Sequence, residues 1–210
     1  DVIIKILKKE IKIIQNNKSK NYPIHLMDFG SGMQPYIINK IINELNSENS
    51  ENYSVECYDF YDEHMLKNLN RDKNIKFFHL DKLDYKKNYD IVIIIDVLHH
   101  IGLESTKDIK KILSKISNVT DYIIIKDHFE KNILSRVLLI LMDFIGNFYN
   151  NVKIPKIYFK KNQFNNLIND LKLIEIKRIT DIYYYKQIWL FFRNPDLQFI
   201  SILKTKNENK

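Results

Sequence analysis

Residues 24–32, IHLMDFGSG, decide how the rest of the chain is read. The first six, IHLMDF, read as a short buried strand that ends at Gly30. Gly32 follows inside the same Gly-Ser-Gly loop. The chain has only four glycines, so two in one loop is a concentrated signal. Glycine lets the backbone adopt positive φ and come close to a ligand. The loop leads into residues 35–46, PYIINKIINELN, which read as a helix with Pro35 in its first turn. A helix N-terminus of this kind favours anionic groups such as a carboxylate. The dinucleotide fingerprint requires a third glycine at position 35. Pro35 stands there, so the loop departs from that form; a plain tight turn is its other reading.

Outward from this loop, strands and helices alternate. Residues 2–14 place Ile3, Ile6, Leu7, Ile11 and Ile14 at helical spacing, with lysines on the opposite face. Strands are expected at 53–58 (YSVECY, ending at Asp59), 74–80, 90–96 (DIVIIID) and 121–126 (DYIIIK). The 90–96 segment is apolar almost throughout, as a parallel strand covered on both faces must be. Helices are expected at 62–69, 104–117, 130–148 and 161–170, and a last pair of strands near 172–179 and 197–204. This alternation predicts an α/β fold. The sheet is doubly wound, seven-stranded and mostly parallel, with helices on both faces and the last strand pair antiparallel. Residues 1–210 are expected to form one domain. Within it, 1–20 make a helical cover, 21–128 a ligand-binding core, 129–196 helices and cover on the far side, and 197–210 the last strand and tail.

Composition narrows the function classes. Hydrophobic residues make up 45% and charged residues 28%, which excludes wholesale disorder. A single cysteine, Cys57, excludes a disulfide scaffold and a cysteine-rich zinc site; inside a strand it reads as a small core residue. The longest unbroken apolar run is Val137 to Met142, far short of the roughly 20 residues of a membrane span. The first residues lack a signal-peptide layout, so a cytoplasmic protein is expected. The net charge of +7 normally suggests a polyanionic partner. Here 29 lysines stand against four arginines, beside 36 isoleucines, 24 asparagines and no alanine. That is the imprint of AT-rich codons, and arginine, the residue best suited to phosphate and base contacts, is scarce. Nucleic acid is therefore a disfavoured partner.

A parallel sheet binds ligands beyond the carboxyl ends of its strands, at the point where strand order reverses. Polar residues gather there: Asp28 and Gly30 after the first strand, Asp59 after the second, Asp81 after the third, Asp96 and His99–His100 after the fourth, and Lys126–Asp127–His128 after the fifth. A strand terminus or helix cap accounts for any one of these alone; five at one edge suggest a site.

With DFGSG, YDF around Asp59, LDKLDY around Asp81 and YDIVIIIDVLHHI in this order, residues 22–128 resemble class I S-adenosylmethionine-dependent methyltransferases. Beyond them, IKDHFEKN and the LMDFIGN helix are similar to a bacterial small-molecule branch of that superfamily. The resemblance implies S-adenosylmethionine as cofactor and a site to match. Asp28, Gly30 and Gly32 would frame its methionine end. Asp59 would accept from the ribose hydroxyls, Phe60 would lie against adenine, and Asp81 would accept from the adenine amino group. Asp96, Val97 and Leu98 would line the sulfonium side. One departure is the spacing of 26 residues between Gly32 and Asp59, which the SENSEN loop at 47–52 can absorb.

Methyl transfer needs a base only where the acceptor must lose a proton. The candidates are His100, His128 and His99, with Asp127 able to orient a neighbouring imidazole. A structural role for His100 is the alternative. A metal held by His99, His100, His128 and Asp96 is conceivable, but their spacing does not demand one and none is assigned. The expected acceptor is a small hydrophobic or aromatic molecule, met by the apolar residues 133–145 and the aromatic-rich 183–192. A lipid-like or carrier-bound acceptor and peripheral membrane contact are compatible with the same surface; core plus cover is its plainer reading. The rivals are an RNA or protein methyltransferase and a non-catalytic cofactor-binding module. The Asn/Asp-Pro-Pro-Tyr/Phe segment typical of base-amine methyltransferases is absent after the fourth strand, which favours a small-molecule acceptor.

Overall fold

The structure, a computed structural model, describes residues 2–17, 24–32, 36–48, 53–61, 75–101, 106–147, 154–155, 158–180, 182 and 197–206. Its elements are α1 (Val2–Asn16), β1 (Ile24–Phe29), α2 (Tyr36–Glu48), β2 (Tyr53–Asp59) and β3 (Ile75–His79) with a 3₁₀ turn (Leu80–Lys82). Then come β4 (Tyr89–Ile95), α3 (Leu98–Ile101), α4 (Thr106–Ser117), β5 (Thr120–His128) and α5 (Ile133–Asn147). The chain closes with α6 (Lys161–Asp170), β6 (Ile174–Ile179) and β7 (Gln198–Lys204).

The seven strands form one sheet in the order β3-β2-β1-β4-β5-β7-β6. β1 to β5 are parallel, and β7 runs against both β5 and β6. This is the expected architecture. The strand order reverses between β1 and β4, where Leu26 to Phe29 pair with Ile91 to Ile94. Residues 91–94 are wholly buried because the sheet is covered on both sides. Alternation sends Leu26, Val55, Cys57, Ile91 and Ile93 into a core with α1 and α2. It sends Met27, Phe29, Val92 and Ile94 into a second core with α4 and α6.

Two expectations are corrected. β5 does not stop at Lys126: Lys126, Asp127 and His128 pair with Ile200, Phe199 and Gln198 of β7. The antiparallel partner carries a polar segment that periodicity alone would leave as a loop. α5 begins at Ile133 rather than at 130. Asn132 ends the preceding segment by accepting the Ser135 N–H through its side chain, and Ser135 Oγ accepts from the amides of Lys131 and Asn132. The helix expected at 104–117 is present from Thr106 to Ser117, its first two positions lying outside the described residues, and a single turn, α3, stands at Leu98–Ile101. One turn carries no repeat to detect. The helix expected at 62–69 and the aromatic segment 183–192 lie outside the described residues.

The stripe on α1 is real packing: Ile3, Leu7, Ile11 and Ile14 are buried against α2 and the sheet. Glu10 is buried too, paired with Lys177 of β6. Replacing the fully buried Leu7 by Ala should cost about 2–5 kcal/mol through lost transfer energy and the cavity left behind. The check is a lower urea midpoint at unchanged slope.

Candidate active site

The loop after β1 has the conformation its glycines permit. Gly30 has φ +77° and Gly32 φ +70°. The Gly30 amide donates to Tyr58 O at 2.7 Å, and the Gly32 amide donates to Asp59 Oδ2 at 2.7 Å. Asp59 Oδ1 accepts from the Phe60 amide at 2.7 Å. The acid at the end of β2 therefore holds the glycine loop at the end of β1. A Cβ on Gly30 would lie 2.4 Å from a methyl of Val97, whereas one on Gly32 would meet nothing within 4 Å among the described residues. Gly30 is packed shut, and Gly32 borders open space.

Alternation places Asp28 and Asp59 on the same face of the sheet as Leu26, Val55 and Cys57. Burial, and then the neighbouring Asp59 charge, push the Asp28 carboxyl up to about 7. Phe60 is 68% exposed, and the Asp81 side chain is 90% exposed beside His79 at 3.2 Å. These two residues stand at the same edge but outside the buried cluster.

Asp96 follows β4 with φ +54°, a left-handed conformation that costs energy outside glycine. Lys126 holds it at two points. The Asp96 amide donates to Lys126 O at 2.9 Å, and the buried Lys126 Nζ lies 2.6 Å from both carboxylate oxygens. His128 Nε2 lies 3.1 Å from Asp96 Oδ1. Burial alone would raise the Asp96 carboxyl, but Lys126 and then His128 outweigh it and hold the group well below the usual carboxylate range. Asp96 is thus an ion-paired residue, which the sequence reading did not anticipate.

Asp127 points to the other face of β5, and the ring it bonds is that of His99. Its Oδ1 lies 2.6 Å from His99 Nδ1 and also accepts from the His128 amide at 2.7 Å. The imidazole beside Asp127 is that of His99 because of the pleat: Lys126 and His128 share one face and Asp127 takes the opposite one. His99 Nε2 faces Asp143 Oδ2 of α5 at 3.4 Å. Tyr158 donates a short hydrogen bond to that same oxygen. Burial works against the His99 imidazolium, but Asp127, then Asp143 and Asp96, raise its pKa overall. Burial likewise opposes the Asp127 carboxylate, and His99 lowers it overall. Half-buried His100 packs its ring against His99, with centroids 4.2 Å apart. Among the described residues, His99 Nε2, Asp127 Oδ2 and His128 Nδ1 are buried here without a hydrogen bond.

The sequence-expected residues therefore gather along one edge as Asp28, Gly30, Gly32 and Asp59 with Val97 against them; Asp96 with Lys126 and His128; and Asp127 with His99, the last two groups adjoining through the His99 and His128 rings, whose centroids lie 5.5 Å apart. Asp143 and Tyr158 were not anticipated. The signal for Asp143 was an acid standing alone in the apolar run ILSRVLLILMDFI. Tyr158 carried none, because nothing local marks the tyrosine that reaches another helix.

No family model and no curated protein sequence matches this chain. Solved structures match its fold. One is the DszA carbon methyltransferase, at 10% identity and TM-score 0.65, over 99% of this chain and 55% of that one. Another is LepI in complex with SAM, at 12% identity and TM-score 0.61, over 93% of this chain. A third is an S-adenosylmethionine-dependent methyltransferase from Clostridium acetobutylicum, at 10% identity and TM-score 0.58, over 98% of this chain and 92% of that one. The chain spans 46% of LepI, about half its length. The fold is shared with these solved methyltransferase structures.

Two predictions follow from the loop and the buried acid. Gly30→Ala and Gly32→Ala both place a side chain at positive φ, at about 1–2 kcal/mol each. Gly30→Ala additionally collides with Val97, so denaturant unfolding should show the larger loss for Gly30→Ala, partly recovered in Gly30→Ala/Val97→Ala. Equal losses at the two glycines would contradict the packing described. Asp28 binds its proton more tightly folded than unfolded, so its contribution to stability is full below about pH 4 and falls as pH rises to about 7. The penalty above that window is on the order of 4 kcal/mol. Asp28→Asn should accordingly stabilise the protein at pH 8 and hardly at all at pH 4, read from unfolding curves at the two pH values.

Proposed function

We propose that this chain binds S-adenosylmethionine at the β1–β4 crevice and transfers its methyl group to a small hydrophobic or aromatic acceptor. The observation that carries the reading is the bond from the Gly32 amide to Asp59 Oδ2. It ties a positive-φ glycine loop to the acid at the end of β2, at the point where strand order reverses. The open space beside Gly32 leaves room for a ligand to approach the backbone. Both Asp59 oxygens accept one amide each and keep a lone pair for the ribose hydroxyls. The buried Asp28 carboxyl favours a cationic neighbour, which fits the methionine end of the cofactor. Phe60 is exposed for stacking on adenine, and Asp81 for its amino group.

S-adenosylmethionine supplies a methyl carbon already activated by positive sulfur. The protein's own work is to hold, orient and exclude water. Where the acceptor is a hydroxyl, His128 is the residue to take its proton. Asp96 fixes one ring nitrogen, leaving Nδ1 without a partner. The acceptor class rests on α5, where Ile133, Leu134, Val137, Leu141 and Ile145 are exposed rather than consumed in the core. Each Å² of apolar acceptor covered there contributes about 25 cal/mol.

Calorimetry with S-adenosylhomocysteine tests the reading. Asp59→Ala removes a charge-assisted acceptor and should weaken binding by about 1.5–3 kcal/mol, roughly 10- to 100-fold. Equal affinity of Asp59→Ala and the parent chain would refute the assignment.

A further inference from the structure

We infer that His99, His100 and Asp143 form a binding site for one divalent transition-metal ion of the zinc type. One donor atom from each of the three lies within 4.8 Å of the others. His99 Nε2 and Asp143 Oδ2 stand 3.4 Å apart. A tetrahedral ion with bonds of about 2.1 Å has donor–donor edges of about 3.4 Å, so this pair is already at coordination spacing. The half-buried His100 ring offers the third donor within 4.8 Å of the other two, and a side-chain rotation brings it to coordination spacing.

The surroundings point the same way. The His99 side chain is fully buried, yet its Nε2 makes no hydrogen bond and is aimed at Asp143. Leaving such a nitrogen unsatisfied is costly unless something occupies the space before it. His99 Nδ1 is held at 2.6 Å by Asp127, the carboxylate–histidine arrangement that fixes the tautomer of a metal-binding imidazole. Tyr158 similarly orients Asp143 by donating to Oδ2. Asp127 and Asp143 bring two negative charges to offset the two positive charges of the ion, with both imidazoles neutral. Two imidazoles with one carboxylate suit zinc, cobalt or iron rather than magnesium or calcium. Three protein donors leave a position for water or an oxygen ligand.

The proposal is independent of the methyl-transfer reading, because it is tested without S-adenosylmethionine. The full chain, free of affinity-tag histidines and stripped with EDTA, is titrated with ZnCl₂ by calorimetry and with CoCl₂ by visible absorption. The expected result is one ion per chain, with the d–d bands of four-coordinate cobalt and no competition from excess Mg²⁺. Asp143→Asn and His100→Gln should each weaken zinc at least 100-fold, and Asp127→Asn about 10- to 100-fold. His25→Gln, whose ring instead meets Ser54 at 2.6 Å, should change nothing. Zinc should raise the melting temperature of the parent chain and not of Asp143→Asn. Failure of the parent chain to take up one ion overturns the proposal. Undiminished binding by folded Asp143→Asn or His100→Gln overturns it equally.

Discussion

The pairing of β1 with β4 is the constraint on which the rest of this molecule depends. Residues 91–94 can be buried on both faces only between two other strands and beneath two layers of helix. Placing β4 beside β1 rather than beside β3 reverses the strand order and opens a crevice between their carboxyl ends. Everything chemically able then arrives at one edge: the glycine loop from β1, Asp59 from β2, Asp96 from β4 and the Lys126–His128 segment from β5. Gly30 shows how tightly the two central strands are joined there, since even a Cβ would collide with Val97.

The electrostatics of that edge are arranged in opposed compartments. On the side of α1 and α2, Asp28 and Asp59 place two acids close together, and the more buried one is driven towards its neutral form. Next to them, Asp96 is held fully ionised by Lys126 and His128. On the opposite face, Asp127 and Asp143 flank His99. Buried charge is tolerable only when paired, and each compartment solves this differently. The first is receptive to a cation, the second carries its own, and the third encloses an imidazole nitrogen without a hydrogen bond. The strained φ of Asp96 persists because Lys126 grips both its backbone and its side chain.

What could be read along the chain was whatever depends on neighbours in sequence. Leu7 and its stripe, the apolar run at 91–95, the glycines at 30 and 32 and the acids at strand ends are local patterns, and they carried the α/β class, the sheet and the loop. Pairing across the molecule was not legible. The face on which Asp127 falls depends on β5 extending to His128, and that extension exists because β7 supplies hydrogen-bond partners from residues 198–200. His99 had two acids as neighbours from β5 and α5, separated from it by 28 and 44 positions. Ile133, Leu134 and Val137 read as core because apolarity is a property of residues. Their exposure is a property of how α5 is seated: Leu139 enters the small buried cluster with Tyr158 and Leu197, and Leu138 and Ile140 pack against it. The sequence by itself determined which elements form and which residues are able to do chemistry, since periodicity and glycine conformation are local physics. Only the tertiary structure decided which acid meets which base, because that choice is made by strand register and by the alternation of side chains across a sheet.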